Sequence, residues 1–253
     1  MRLIVRLIVL SALSYFGICA GLYFAQDALI FPSHLVSLSA SGQRLVLPTE
    51  QGKTYVLIRD KRAPCDVLYF GGNAEAVDAS QRDLERAFSQ CNILSMIYRG
   101  YGLSEGTPSQ AHLYADALAL YRLRQAKTRE FIIVGRSLGT SLATYLASQV
   151  PVKQLVLVTP FDSMANLVSD KFPWLPTGLL LKNPFPSAEY ARHVTAPVHI
   201  LLAEEDEIIP TSHTLALQKA FIRTQPQLTR LGKVGHNTVD EHPAYIQVLG
   251  RRL

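Results

Sequence analysis

The chain has 253 residues, 48% of them hydrophobic and 18% charged, which is enough to bury a sizeable core within one domain. The formal net charge of +5 is scattered, and no run of Lys or Arg interleaves with aromatics, so no nucleic-acid partner is expected.

The first element is an apolar helix. From Leu7 to Gln26 no residue is charged, and about twenty helical residues reach roughly 30 Å, the thickness of a bilayer's hydrocarbon core. Arg2 and Arg6 precede this stretch and the next basic residue is Arg44. That asymmetry predicts a cytoplasmic N-terminus and a globular part on the periplasmic or extracellular side. A cleaved signal peptide is the alternative, supported by the small residues Cys19, Ala20 and Gly21. The apolar run continues through Leu22, Tyr23 and Phe24 without a small-x-small cleavage site, so residues 1–27 are read as an uncleaved anchor and 28–253 as the globular domain.

Beyond the anchor, short runs rich in Val, Ile and Leu alternate with helical patterns, the signature of a mainly parallel sheet covered on both faces. A strand or hairpin is expected between Leu35 and Leu47, followed by strands at Thr54–Ile58, Asp66–Phe70, Asn92–Tyr98, Phe131–Val134, Gln154–Val158, Val198–Leu202 and Leu228–Leu231. Helices are expected over 74–90, 109–125 and 137–149, with Ser109 as a cap. Residues 160–193 carry too many prolines for one crossover helix and read as a small cap-like excursion above the sheet.

Gly135-Arg136-Ser137-Leu138-Gly139 lies directly after a predicted strand and before a predicted helix. A nucleophile elbow needs a serine on such a strained turn, with glycines where the backbone passes close by. Serine is a poor nucleophile at neutral pH, so a base and an orienting acid must follow, in the chain order Ser, Asp, His. Both stand after later strands, at Asp206 in Glu204-Glu205-Asp206-Glu207 and at His236 in Gly235-His236-Asn237. Glu204, Glu205 and Glu207 read as solvated neighbours, Asp162 is the rival acid, and His213 is a pocket-lining candidate. The other histidines read as surface or core residues, His242 within the last helix. For the developing oxyanion, the N–H groups of Asn73, in the loop Gly71-Gly72-Asn73-Ala74-Glu75, and of Leu138 are nominated. Gly100 to Gly106 reads as a tight turn, with Arg99 and Tyr101 as secondary candidates for touching substrate.

The residues Leu68 to Glu75, Tyr98 to Gly102, Gly135 to Gly139, Thr159 to Ser163, Asp206 to Pro210 and Gly235 to Asn237 together resemble the serine-hydrolase branch of the α/β-hydrolase superfamily. Within it the chain is similar to single-pass anchored proteins grouped with the serine aminopeptidase-like hydrolases, from about Asp27 to the C-terminus. The resemblance implies an α/β-hydrolase fold with a mainly parallel eight-stranded sheet. It carries nucleophile, acid and base onto Ser137, Asp206 and His236, and the oxyanion loop onto Asn73. Gly71 departs from a family pattern that often has His before Gly-Asn.

These residues predict hydrolysis of a carboxylic ester or other acyl bond through an acyl-enzyme, with no metal and no organic cofactor. The expected partners are a small acyl substrate and the membrane. Phe172, Trp174, Leu175 and Leu179 to Leu181 are placed to cover an acyl chain or to pack on the core, so an ester or lipid-like substrate is preferred over a peptide or thioester. A non-catalytic anchored binding protein is the rival from another class.

Three cysteines remain. Cys19, within the anchor, reads as a small apolar filler. Cys65 and Cys91 each precede a strand, and in the arrangement that the resemblance implies those strands are parallel neighbours, so a bridge is geometrically possible. With register and side-chain direction unknown, two free buried thiols are the slightly preferred expectation.

Overall fold

The computed structural model describes residues 1–38, 42–128 and 130–253. Helix α1, Arg2–Ile30, is followed by β1 (Arg44–Thr49), β2 (Gly52–Arg59), β3 (Cys65–Phe70), α2 (Val77–Ala87), β4 (Asn92–Met96) and α3 (Gln110–Gln125). The chain continues through β5 (Glu130–Arg136), α4 (Gly139–Gln149), β6 (Gln154–Val158), α5 (Met164–Lys171), α6 (Thr177–Leu180) and α7 (Ser187–Ala191). It closes with β7 (Val198–Ala203), α8 (Thr211–Ala220), β8 (Gln227–Leu231) and α9 (Tyr245–Leu249).

The described strands form one sheet in the order β1-β2-β4-β3-β5-β6-β7-β8. The pairs β1–β2 and β2–β4 are antiparallel, and every later pair is parallel. Strands β3, β4, β6 and β7 are buried along their whole length. That explains their continuous apolar runs, because a parallel strand covered on both faces has no polar side to present. Two carboxylates in the interior are paired: Asp66 of β3 receives two bonds from Arg124, at 2.6 and 3.1 Å, and Asp116 of α3 receives two from Arg99, at 2.7 and 2.6 Å.

Several boundaries differ from the sequence expectation. The helix expected from Ala74 begins only at Val77, because Ala76 is extended and Glu75 turns back to accept from the Gly72 N–H at 2.8 Å. Strand β4 ends at Met96, while Ile97 still donates to the Tyr55 carbonyl. The strand expected before Leu47 is β1, shifted to Arg44–Thr49. His242 lies outside α9, after the short turn Val239–Glu241. The preference for free thiols is also corrected, since Cys65 and Cys91 are disulfide-bonded with a Cα–Cα distance of 4.9 Å. The reason is register: Asp66 pairs with Asn92, which sets the two preceding cysteines side by side at the sheet's amino edge.

Helix α1 is long and apolar enough to cross a membrane. Leu3, Ile8, Leu10, Leu13, Phe16 and Phe24 are all more than half exposed. Such a continuous apolar surface far exceeds the patches that soluble monomers carry. Its last turns do pack on the domain. Gln26 donates to the Leu180 carbonyl at 3.0 Å and accepts from the Lys182 N–H at 2.7 Å, and Asp27 accepts from Asn183 at 2.9 Å.

Candidate active site

Strand β5 runs into α4 through Ser137, whose φ of 50° lies in the left-handed region that a residue with a side chain rarely adopts. The turn is held by the Ser137 N–H, which donates to the Val158 carbonyl at 2.9 Å, and by Thr140, whose hydroxyl donates to the Ser137 carbonyl at 2.6 Å. The flanking glycines are required by contact. A Cβ at Gly135 would lie 2.5 Å from the Gly139 carbonyl oxygen, and one at Gly139 would overlap the Phe70 carbonyl.

Ser137 Oγ is 2.9 Å from His236 Nε2, and His236 Nδ1 is 2.9 Å from Asp206 Oδ2. The His236 and Asp206 side chains are both buried. The second carboxylate oxygen of Asp206 accepts from the N–H groups of Ile208 at 2.9 Å and Ile209 at 2.7 Å, which fixes its orientation. Glu207 is not merely solvated, since it accepts from the His236 N–H at 3.1 Å. The structure therefore brings the three sequence-nominated side chains, from the ends of β5, β7 and β8, into one hydrogen-bonded row.

Asn73 and Leu138 share a cavity of about 560 Å³ with Ser137. Leu138 opens α4, so its N–H belongs to the positive end of that helix. The Asn73 loop is braced from below. Glu75 accepts from the Gly72 N–H and from the hydroxyls of Tyr69 and Ser80, both at 2.5 Å. Tyr98 donates to the Gly71 carbonyl and Tyr101 to the Asn73 carbonyl, both at 2.7 Å. Burial raises the phenols of Tyr69, Tyr98 and Tyr101 above their ordinary values, so each stays a donor at neutral pH.

A family model described as alpha/beta hydrolase fold matches residues 67–190. Alpha/beta hydrolase domain-containing protein 17C of Xenopus tropicalis is 36% identical over 163 residues, which is 63% of this chain and 51% of that protein. An uncharacterized protein of Mycobacterium tuberculosis is 35% identical over 150 residues, 58% of this chain and 53% of that one. The chain thus spans about half the length of the curated relatives it matches. The esterase Pf2001 of Pyrococcus furiosus superposes with a TM-score of 0.65 at 16% identity, covering 83% of this chain and 88% of that one. The chain has the α/β-hydrolase fold.

Other sequence candidates in this α/β-hydrolase fold lie elsewhere. Asp162, the rival acid, pairs with His213 Nδ1 at 2.7 Å and with the Asn166 amide. Neither Asp162 nor His213 lines the cavity of the serine. They join α5 to α8, with Ser163 capping α5. Arg99 is buried against Asp116, and Tyr101 braces the Asn73 loop, so both serve the scaffold. Among the described residues no group of three or more His, Cys, Asp or Glu is arranged to hold a metal.

Two features escaped sequence reading. Nothing in the glycine-rich loop pattern marks Glu75, whose position three residues after Gly72 lets it fold back. More far-reaching, α1 forms one wall of the cavity through Ile18, Leu22, Tyr23, Gln26, Leu29 and Ile30. The Asn73 amide donates to the Ile30 carbonyl at 3.2 Å, joining the helix directly to the loop beside Ser137. Opposite α1 the wall is built by residues 164–181, including Met164, Leu167, Phe172, Trp174 and Leu180. Of the excursion side chains, Phe172, Trp174, Leu175, Leu180 and Leu181 line the cavity, Leu181 also packs against the core, and Leu179 does neither.

Proposed function

We propose that this protein is a serine hydrolase that cleaves carboxylic esters or related acyl bonds. His236 takes the proton of Ser137 as its Oγ attacks the acyl carbonyl, and Asp206 holds the imidazole with Nδ1–H towards itself. The N–H groups of Asn73 and Leu138 stabilise the oxyanion. His236 then protonates the leaving alcohol, and water cleaves the Ser137 ester by the reverse sequence of proton transfers. The observation that carries this reading is the pair of 2.9 Å contacts linking Ser137, His236 and Asp206 on a strained strand-to-helix turn.

The cavity favours an apolar acyl group. None of the described residues lining it is charged, so it offers no counter-ion for the α-ammonium group that an aminopeptidase must hold. Labelling of folded protein by a fluorophosphonate probe tests the activated serine: modification at Ser137 supports the reading, and its absence favours a non-catalytic binding protein. Esters of graded acyl length against aminoacyl amides then separate esterase from peptidase.

The same reading places α1 across a membrane, with Arg2 and Arg6 on the cytoplasmic side and the globular domain outside. The Cys65–Cys91 disulfide supports an oxidising compartment, where such a bond persists. Carbonate extraction leaving the protein in the membrane fraction, together with a C-terminal reporter active only outside the cytoplasm, is the expected result.

A further inference from the structure

Residues 172–181, Phe-Pro-Trp-Leu-Pro-Thr-Gly-Leu-Leu-Leu, carry no charge and are bounded by Lys171 and Lys182. In a soluble domain an apolar segment of this kind is buried. Here Phe172 is 45% exposed, Trp174 49% and Leu179 87%. The segment lies along α1 rather than along the sheet. Tyr15 donates to the Trp174 carbonyl at 3.0 Å and its ring meets the Trp174 indole edge-on, with centroids 6.3 Å apart. Tyr15 lies eleven residues before Gln26, or about 16 Å along a helix axis. Trp174 therefore stands beside the part of α1 that is long and apolar enough to cross a bilayer.

Two further observations suit the segment to hydrocarbon. Backbone groups without partners are costly there, yet the N–H groups of Leu175, Thr177, Leu179, Leu180 and Leu181 are all bonded within the segment, and Pro173 and Pro176 bring none. At its end Lys182 lies 4.5 Å from the Tyr23 ring centroid and 3.3 Å from the Asp27 carboxylate. A tyrosine ring beside a lysine is the kind of pair that anchors a chain at a membrane–water boundary. Between α1 and this segment runs the cavity that ends at Ser137, walled on both sides by side chains that also face outward.

Resting on the serine-hydrolase reading, we propose that residues 172–181 dip into the leaflet crossed by α1, and that the cavity takes its substrate sideways from the bilayer. The substrate class is a membrane-resident acyl lipid, whose chain enters between α1 and the segment while its carbonyl reaches Ser137.

The chain has a single tryptophan, Trp174, so its fluorescence reports this segment alone. Full-length protein is reconstituted in phosphatidylcholine vesicles with and without bromine on the acyl chains. The expected result is that bromolipid removes most of the emission and aqueous acrylamide little. Emission insensitive to bromolipid and fully quenched by acrylamide overturns the proposal. This readout needs no turnover, so it stands apart from any failure of the hydrolase reading. A second arm uses Leu179→Asp, whose side chain is exposed and does not line the cavity. The charge should lower hydrolysis of a long-chain ester held in vesicles by at least about tenfold, since a carboxylate is costly in hydrocarbon. Hydrolysis of a soluble short-chain ester should be unchanged. Equal loss on both substrates, with the fold intact, rules out delivery through this segment.

Discussion

The side-chain amide of Asn73 donates to the main-chain carbonyl of Ile30 at 3.2 Å, so the loop beside Ser137 is tied to the last residue of the apolar N-terminal helix. The Asn73 N–H is a backbone group and survives substitution of the side chain. Asn73→Ala is therefore expected to lower kcat by about tenfold, less than removal of an oxyanion donor, which costs roughly a hundredfold or more. Steady-state hydrolysis of a short-chain ester measures it, and unchanged kinetics would detach the helix from the site.

Asp206 and Asp162 are separated by their partners. Ser137→Ala and His236→Ala should each remove at least about a thousandfold of kcat, with Asp206→Asn severe but smaller because it favours the wrong imidazole tautomer. Asp162→Asn should leave kcat within a few-fold while weakening the joint between α5 and α8. Single-turnover kinetics on the four variants decide the assignment, and the reverse ranking of the two aspartates defeats it.

Glu75 carries three bonds to the loop and its support, and none to the cavity. Glu75→Gln keeps the size but replaces one acceptor oxygen by a donor, so kcat should fall roughly tenfold with KM little changed. A change in KM alone would show that Glu75 contributes to binding instead.

Gly139→Ala is expected to be among the most damaging single methyl additions, because its Cβ overlaps the carbonyl of Phe70 and the backbone there has no room to yield. A loss of about 3 kcal/mol in urea denaturation, or failure to fold, is the expected outcome. Gly178→Ala, with nothing within 4 Å of the new Cβ, serves as the control.

His199, buried in β7 and also repelled by Arg251, has its pKa pushed down to about 4. The unfolded chain therefore binds the extra proton between the ordinary histidine value of about 6.5 and the folded value. The contribution of His199 to stability is full above the first and declines as pH falls towards the second. Chemical denaturation across that window should show a slope that His199→Gln reduces; an unchanged slope refutes the assignment.

Much of the fold was legible because its signals are local. A strand buried on both faces must be largely apolar, as Val67 to Phe70 of β3 and Leu155 to Val158 of β6 are, and the Gly-x-Ser-x-Gly turn has little steric freedom, so the sheet and the Ser137 turn are legible directly. Asp206 and His236 are legible as candidates because each follows a recognisable strand. The choice of Asp206 over Asp162 rested on chain order, and their separate partners are visible only in three dimensions. The Cys65–Cys91 bond turned on the register of β3 against β4, which no local pattern encodes. The place of α1 beside the cavity is hidden for a different reason. Tyr15, Ile18, Leu22, Gln26 and Leu29 form one stripe of α1, but the residues around them are almost equally apolar, so no periodicity sets that face apart. Local pattern alone is sufficient for a helix able to cross a membrane ahead of an α/β domain with a serine at a strand-to-helix turn. Only tertiary packing decided that this helix and residues 172–181 together wall the path to that serine, because which apolar face meets which is settled by contact between segments far apart in the chain.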